Sequence, residues 1–82
     1  MYYVYIVKCS DDSLYTGITT DIKRRIKEHN SSDKGAKYTR GRRPVVLIYS
    51  EKHKNRSQAT KAEIDIKKMS REEKLGLGDK VK

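Results

Sequence analysis

The chain reads as a small α+β domain: a three-stranded, mostly antiparallel sheet flanked by helices, in the order β-hairpin, helix, strand, two helices. Three observations predict this. Residues Tyr2 to Lys8 form a β-branched and aromatic run, followed by a polar turn and a second short run. Two later stretches repeat their apolar residues at helical spacing. The length of 82 residues suits one domain with one small core.

Taken in order, Tyr2 to Lys8 is the first strand. Ser10-Asp11-Asp12-Ser13 is a turn cluster, and Leu14-Tyr15-Thr16 returns as the second strand of a hairpin. Gly17 closes that strand, either as loop punctuation or as a place where backbone approaches a ligand. Thr19-Thr20-Asp21 offers caps and a negative charge for a helix from about Asp21 to His29. A basic loop then runs from Asn30 through Gly35 to Arg43 and stops at Pro44. Val45 to Tyr49 is an apolar run that reads as a buried third strand. His53 falls in the loop after it, and Cys9 is a small residue at a strand end. A second helix begins at Asn55 to Ser57 and runs to about Met69. Ser70-Arg71-Glu72-Glu73 matches a capping box and starts a third helix. Gly76 and Gly78 should break it, which gives a domain over residues 1–76 and a flexible tail over 77–82.

Composition narrows the function. The net charge is +9 and charged residues make up 38% of the chain. Such a surplus attracts polyanions, of which nucleic acid is the commonest. A membrane-surface role needs a basic helix with large apolar residues opposite, and the first two helices carry only Ile, Ala and Met on their apolar faces. The single cysteine excludes an intramolecular disulfide and any Cys-based zinc site. No signal peptide and no membrane span are visible, so a cytoplasmic protein is expected. Six tyrosines supply all the aromatic bulk, and buried tyrosines need partners for their hydroxyls.

Helix geometry divides the charge. Relative to Ile22, Arg25 falls at about −60°, Ile26 at about +40° and His29 at about −20°. Arg25 and His29 therefore share the apolar face, whereas Lys23, Arg24, Lys27 and Glu28 point away. On the later helix Ala59, Ala62, Glu63 and Ile66 share one stripe, which makes Glu63 an acid on an apolar face. A structural Arg25–Glu63 ion pair would account for both charges, though not for His29. In the first strand Tyr3 and Tyr5 project to one side, and Tyr15 on the neighbouring strand is placed to meet Tyr5 across the hairpin.

That set of residues has a chemistry. Magnesium takes oxygen ligands, keeps several waters, and often uses only one or two carboxylates plus a substrate phosphate. One Glu is enough to anchor it beside a scissile phosphate. An inward arginine holds the phosphate, and a tyrosine or histidine handles the proton of an attacking water.

Tyr3-Val4-Tyr5, Tyr15-Thr16-Gly17, Arg25 with His29, Gly35 to Arg40, Arg43-Pro44 and Glu63, in this order, resemble the GIY-YIG nuclease superfamily. The likeness covers about Tyr2 to Lys74 and is greatest to the small stand-alone bacterial members. The first motif reads Tyr3-Val4-Tyr5 in place of Gly-Ile-Tyr, which keeps the last tyrosine. The resemblance implies a metal-dependent endonuclease with one divalent ion, Mg2+ or Mn2+, held by Glu63. It implies Tyr5 as general base, Tyr15 lining the site, Gly17 letting backbone pass close to substrate, Arg25 as the catalytic arginine and His29 assisting the tyrosine or touching phosphate. Lys37, Tyr38, Arg40, Arg42 and Arg43 would bind nucleic acid, DNA before RNA. No attached substrate-selecting module is visible, so a partner protein is expected to supply specificity. The alternatives are a non-catalytic nucleic-acid-binding module on the same scaffold, and a protein-interaction domain whose charge serves solubility.

Overall fold

A computed structural model describes residues 1–31 and 37–81. Its elements are β1 (Tyr2–Lys8), β2 (Leu14–Thr19), α1 (Ile22–Ser31), α2 (Lys37–Arg40), β3 (Val46–His53), α3 (Arg56–Lys67) and α4 (Arg71–Val81). The sheet order is β2-β1-β3, antiparallel throughout. The expected α+β architecture is therefore the one observed. β1 holds the centre, where both edges are paired and both faces covered, and this is why its sequence is a nearly unbroken run of Val, Ile and Tyr.

The β1–β2 turn follows from its side chains. Asp11 Oδ1 accepts from the Ser13 amide at 3.0 Å, and Asp12 takes the left-handed φ of 68° that Asp tolerates. Strand alternation then builds a core on each face. Val4 and Ile6 pack with Ala59 and Ile66 of α3, whereas Tyr5 and Val7 pack with Cys9, Val45 and Ile26 of α1. Each buried Val or Ile contributes roughly 1.5–3 kcal/mol.

Helix ends use the expected caps. Asp21 Oδ1 accepts from the Arg24 amide at 3.1 Å at the start of α1, and Asn55 accepts from the Gln58 amide at 2.9 Å at the start of α3. Ser70 and Glu73 exchange reciprocal bonds at the start of α4. The far end of α1 is fastened by Asn30, whose amide donates to the Val45 carbonyl at 3.2 Å while its oxygen accepts from the Val45 amide at 2.6 Å.

Several expectations are corrected. Val45 to Tyr49 is not a buried third strand, although Val45 itself is buried. The strand runs over Val46–His53 at the sheet edge, with Val46 61% exposed. His53 belongs to that strand and pairs with Glu51 at 3.0 Å. The basic loop contains the short helix α2, and its residues 32–36, which include Gly35 and Ala36, lie outside the described residues. The third helix does not break at Gly76 or Gly78 and runs on to Val81. A glycine costs a helix only about 1 kcal/mol, and packing outweighs it here. Leu77 joins the core, and a Cβ on Gly78 would lie 2.9 Å from the Ile48 carbonyl oxygen. Ile48 is the extra residue of a bulge between the Ile6 and Val7 pairings, so Gly78 lets α4 close on the bulged strand. Among the described residues no helix is long and apolar enough to cross a membrane.

Candidate active site

The site begins at the middle of β1. The register sets Tyr5 opposite Gly17, and Tyr15 opposite Val7. Tyr5 and Tyr15 thus share a face as diagonal neighbours across the hairpin. Tyr5 is 1% exposed. Its ring lies across Gly17, where a Cβ would meet the Tyr5 hydroxyl at 2.6 Å and Cζ at 2.8 Å. The space that Gly17 leaves is filled by Tyr5 itself.

From α1, Arg25 and His29 face this ring as their helix positions require. His29 is fully buried. Its Nε2 lies 2.8 Å from the Tyr5 hydroxyl and its Nδ1 lies 2.9 Å from Thr39 Oγ1 in α2. The Arg25 guanidinium also lies within reach of the Tyr5 oxygen, where its charge favours the phenolate. Arg25 has only donors, so toward it the Tyr5 oxygen can only accept. We assign the imidazole proton to Nδ1, toward Thr39, which lets the phenol donate to Nε2. Glu28, expected to point away, turns to Arg25 and pairs with it at 3.2 Å. Its position flanks Arg25 three residues on, within side-chain reach. The Arg25–Glu63 pair is not formed; Glu63 pairs with Lys67 at 3.4 Å instead.

The electrostatics keep both members of the Tyr5–His29 pair neutral. Burial raises the Tyr5 hydroxyl above its usual range, and Arg25 only partly offsets this, while Tyr15 and Glu63 add to the rise. Burial, assisted by the charges of Arg25 and Arg43, lowers His29 to about 4 against the opposing pull of Glu28. Arg43 Nε also donates to the His29 carbonyl.

A run of flat groups leads outward from His29. Tyr15 meets the imidazole edge-on at 5.5 Å between centroids, Tyr38 stacks on Tyr15 at 5.7 Å and 25°, and the Arg42 guanidinium lies 4.1 Å over the Tyr38 ring. Arg42 is held there by Asp11 Oδ2 at 3.0 Å and by the Tyr38 carbonyl at 2.8 Å. Lys37 and Arg40 are exposed on α2. Glu63 is half-buried on α3, the helix that packs on β1 and β2, and its charge is felt at Tyr5. Among the described residues no three His, Cys, Asp or Glu side chains cluster. A lone carboxylate suits a hard cation that draws its remaining ligands from water and substrate phosphate, so Glu63 fits that group.

Thr39, Asn30 and Asp11 were not legible as site residues. Thr39 sits between Tyr38 and Arg40 in a basic segment, where nothing in the sequence marks it as buried. Asp11 reads as a turn residue, and its second oxygen's hold on Arg42 spans 31 positions.

Comparison with known proteins identifies the family. A model of the GIY-YIG catalytic domain matches residues 1–75. The UPF0213 protein of Desulfotalea psychrophila is 62% identical over 69 residues, covering 84% of this chain and 63% of that protein. The UPF0213 protein of Staphylococcus haemolyticus is 57% identical over 76 residues, covering 93% and 92%. A solution NMR structure of a protein from E. faecalis superposes with a TM-score of 0.62 at 48% identity, covering 92% of this chain and 79% of that one. With Tyr5, Tyr15, Arg25 and His29 on one face of this sheet and the family model matching residues 1–75, the chain belongs to the GIY-YIG catalytic-domain family.

Proposed function

We propose that the chain hydrolyses phosphodiester bonds of nucleic acid, DNA before RNA, as a metal-dependent endonuclease. The observation that carries this is the buried Tyr5–His29 hydrogen bond of 2.8 Å set against Arg25. A neutral phenol whose proton is directed to a neutral imidazole presents its oxygen lone pairs to Arg25 and to a water beside it. Arg25 holds the scissile phosphate. Tyr5 takes the proton of the attacking water as its own proton moves toward His29 Nε2. The phosphate assists that movement, since it offsets the positive charge of Arg25 and Arg43 that depresses His29. Tyr5 is buried in the free protein, so the water it serves is brought in with the phosphate. Glu63 would hold the divalent ion, Mg2+ or Mn2+, which when bound supplies charge stabilisation at the phosphate and leaving oxygen. Lys37, Tyr38, Arg40, Arg42 and Arg43 bind the rest of the substrate, and a partner protein supplies further selectivity. The free, buried Cys9 suits a reducing compartment such as the cytoplasm.

The test is incubation with magnesium or manganese against a panel of DNA and RNA forms, comparing wild type with Glu63→Ala and Tyr5→Phe. Cleavage by wild type that both variants lose is the expected result. Equal cleavage by all three refutes the assignment. Binding without cleavage by wild type leaves a nucleic-acid-binding module, and affinity that ignores salt refutes both.

A further inference from the structure

We propose that Tyr38 and Arg42 form a stacking subsite for one unpaired nucleobase of the substrate. This rests on the nucleic-acid reading above and adds the substrate class: a strand with at least one unpaired nucleotide next to the phosphate in the site.

Three observations carry it. Tyr38 is 40% exposed although it stacks on Tyr15, and the Arg42 side chain is 38% exposed although its guanidinium lies 4.1 Å over the Tyr38 centroid, so the plane offered to a base is that of the guanidinium backed by the ring. These are two flat groups, one cationic, left partly open to solvent. The guanidinium is also fixed in orientation. Its Nε is tied to Asp11 and its NH1 to the Tyr38 carbonyl, so little freedom is lost when a ligand lands on it. A phosphate contact alone needs no such fixing, and a lysine would serve. Finally, Tyr38 lies one 5.7 Å stacking step from Tyr15, which itself packs on His29. A base held here belongs to a nucleotide near the phosphate that Arg25 holds. Aromatic rings and guanidinium planes are the groups on which splayed bases stack. A base inside a duplex has both faces covered by its neighbours, so only an unpaired or terminal base offers a face to this pair.

The experiment uses the full chain with chelator present, so that binding is read without metal-dependent cleavage. The probe is an oligonucleotide carrying one 2-aminopurine, whose emission falls when the base stacks. It is presented as a single strand, fully paired in a duplex, and as an unpaired bulge in a duplex. Wild type is expected to quench the unpaired probes and to leave the paired one unchanged. Tyr38→Ala should remove the quench and weaken binding of unpaired probes about 5- to 150-fold, the range of one lost stacked base. Arg42→Lys, which keeps the charge and loses the plane, should also reduce the quench. Tyr38→Phe keeps the ring and should retain it, which separates stacking from misfolding. Equal binding of paired and unpaired probes without quench overturns the proposal. So does an equal loss of affinity for both in Arg42→Lys and Tyr38→Ala. Cleavage by the metal-loaded protein without selective quenching refutes the subsite and leaves hydrolysis standing. Selective quenching without cleavage supports the subsite and refutes hydrolysis.

Discussion

Acid should destabilise this domain through one residue. His29 titrates near 6.5 when the chain is unfolded and near 4 when folded. Its folded affinity for protons is depressed, so between those values the unfolded state holds more protons and stability falls as pH falls. The contribution is intact above about 6.5 and fully lost below about 4. The gap between the two values, at about 1.36 kcal/mol per pH unit, comes to roughly 3 kcal/mol. His29 is fully buried, so solvent screening does not reduce it. Against a typical domain stability of about 5–15 kcal/mol this is a large fraction. The structural cause is explicit. A protonated ring would aim Nε2–H at a phenol that already directs its own proton there, beside the cations Arg25 and Arg43. The assay is urea unfolding of wild type and His29→Gln at about pH 7 and pH 4.5. Carboxylates give both proteins a common slope, which subtraction removes. Wild type should lose roughly 2–3 kcal/mol more than the variant over that interval. Parallel pH dependences of the two proteins would refute the assignment of a neutral, buried His29.

Other substitutions probe the same neighbourhood. Gly17→Ala would normally stabilise a strand by up to about 1 kcal/mol; here it should cost about 1–3 kcal/mol by overpacking Tyr5, and an unchanged or raised urea midpoint would contradict this. Thr39→Val should cost about 1–3 kcal/mol by removing the hydroxyl hydrogen-bonded to the buried His29 Nδ1, with Thr39→Ser restoring both stability and the imidazole titration followed by NMR. Asn30→Ala removes two bonds to the Val45 backbone and should cost a similar amount in urea unfolding; a loss within about 0.5 kcal/mol, the ordinary surface range, would show that the α1–β3 fastening is unimportant.

The fold was legible where periodicity and capping agree. The hairpin, the order of elements, and the inward Arg25 and His29 all follow from side-chain spacing, because a period of 3.6 or 2 fixes a face whatever lies opposite. Long-range choices were not legible. The run from Val45 to Tyr49 is apolar enough for a central strand, yet β1 takes the centre and leaves Val46 on the edge. Gly78 resembles a helix stop, and only the bulge at Ile48, 30 positions earlier, shows it to be a packing residue. Glu28 lies at the border between two helix faces, so spacing alone does not decide whether it reaches Arg25.

The arrangement ties the substrate-binding segment to the chemistry. A tyrosine at the centre of β1 is buried by its place in the sheet, and its ring fits only over Gly17. Burial obliges its hydroxyl to find a partner, which is His29, and burial of His29 obliges Nδ1 to find Thr39. Thr39 lies in α2 beside Tyr38, whose carbonyl holds Arg42 over the ring. The chain of bonds thus runs from the proposed base to the segment that carries the stacking pair. Loss of the Thr39 hydroxyl should therefore show twice, in the titration of the buried imidazole and in the affinity of the Tyr38–Arg42 subsite. Two independent elements would show it only once. A Thr39→Val protein with altered imidazole titration and unaltered base stacking would separate the binding segment from the chemistry.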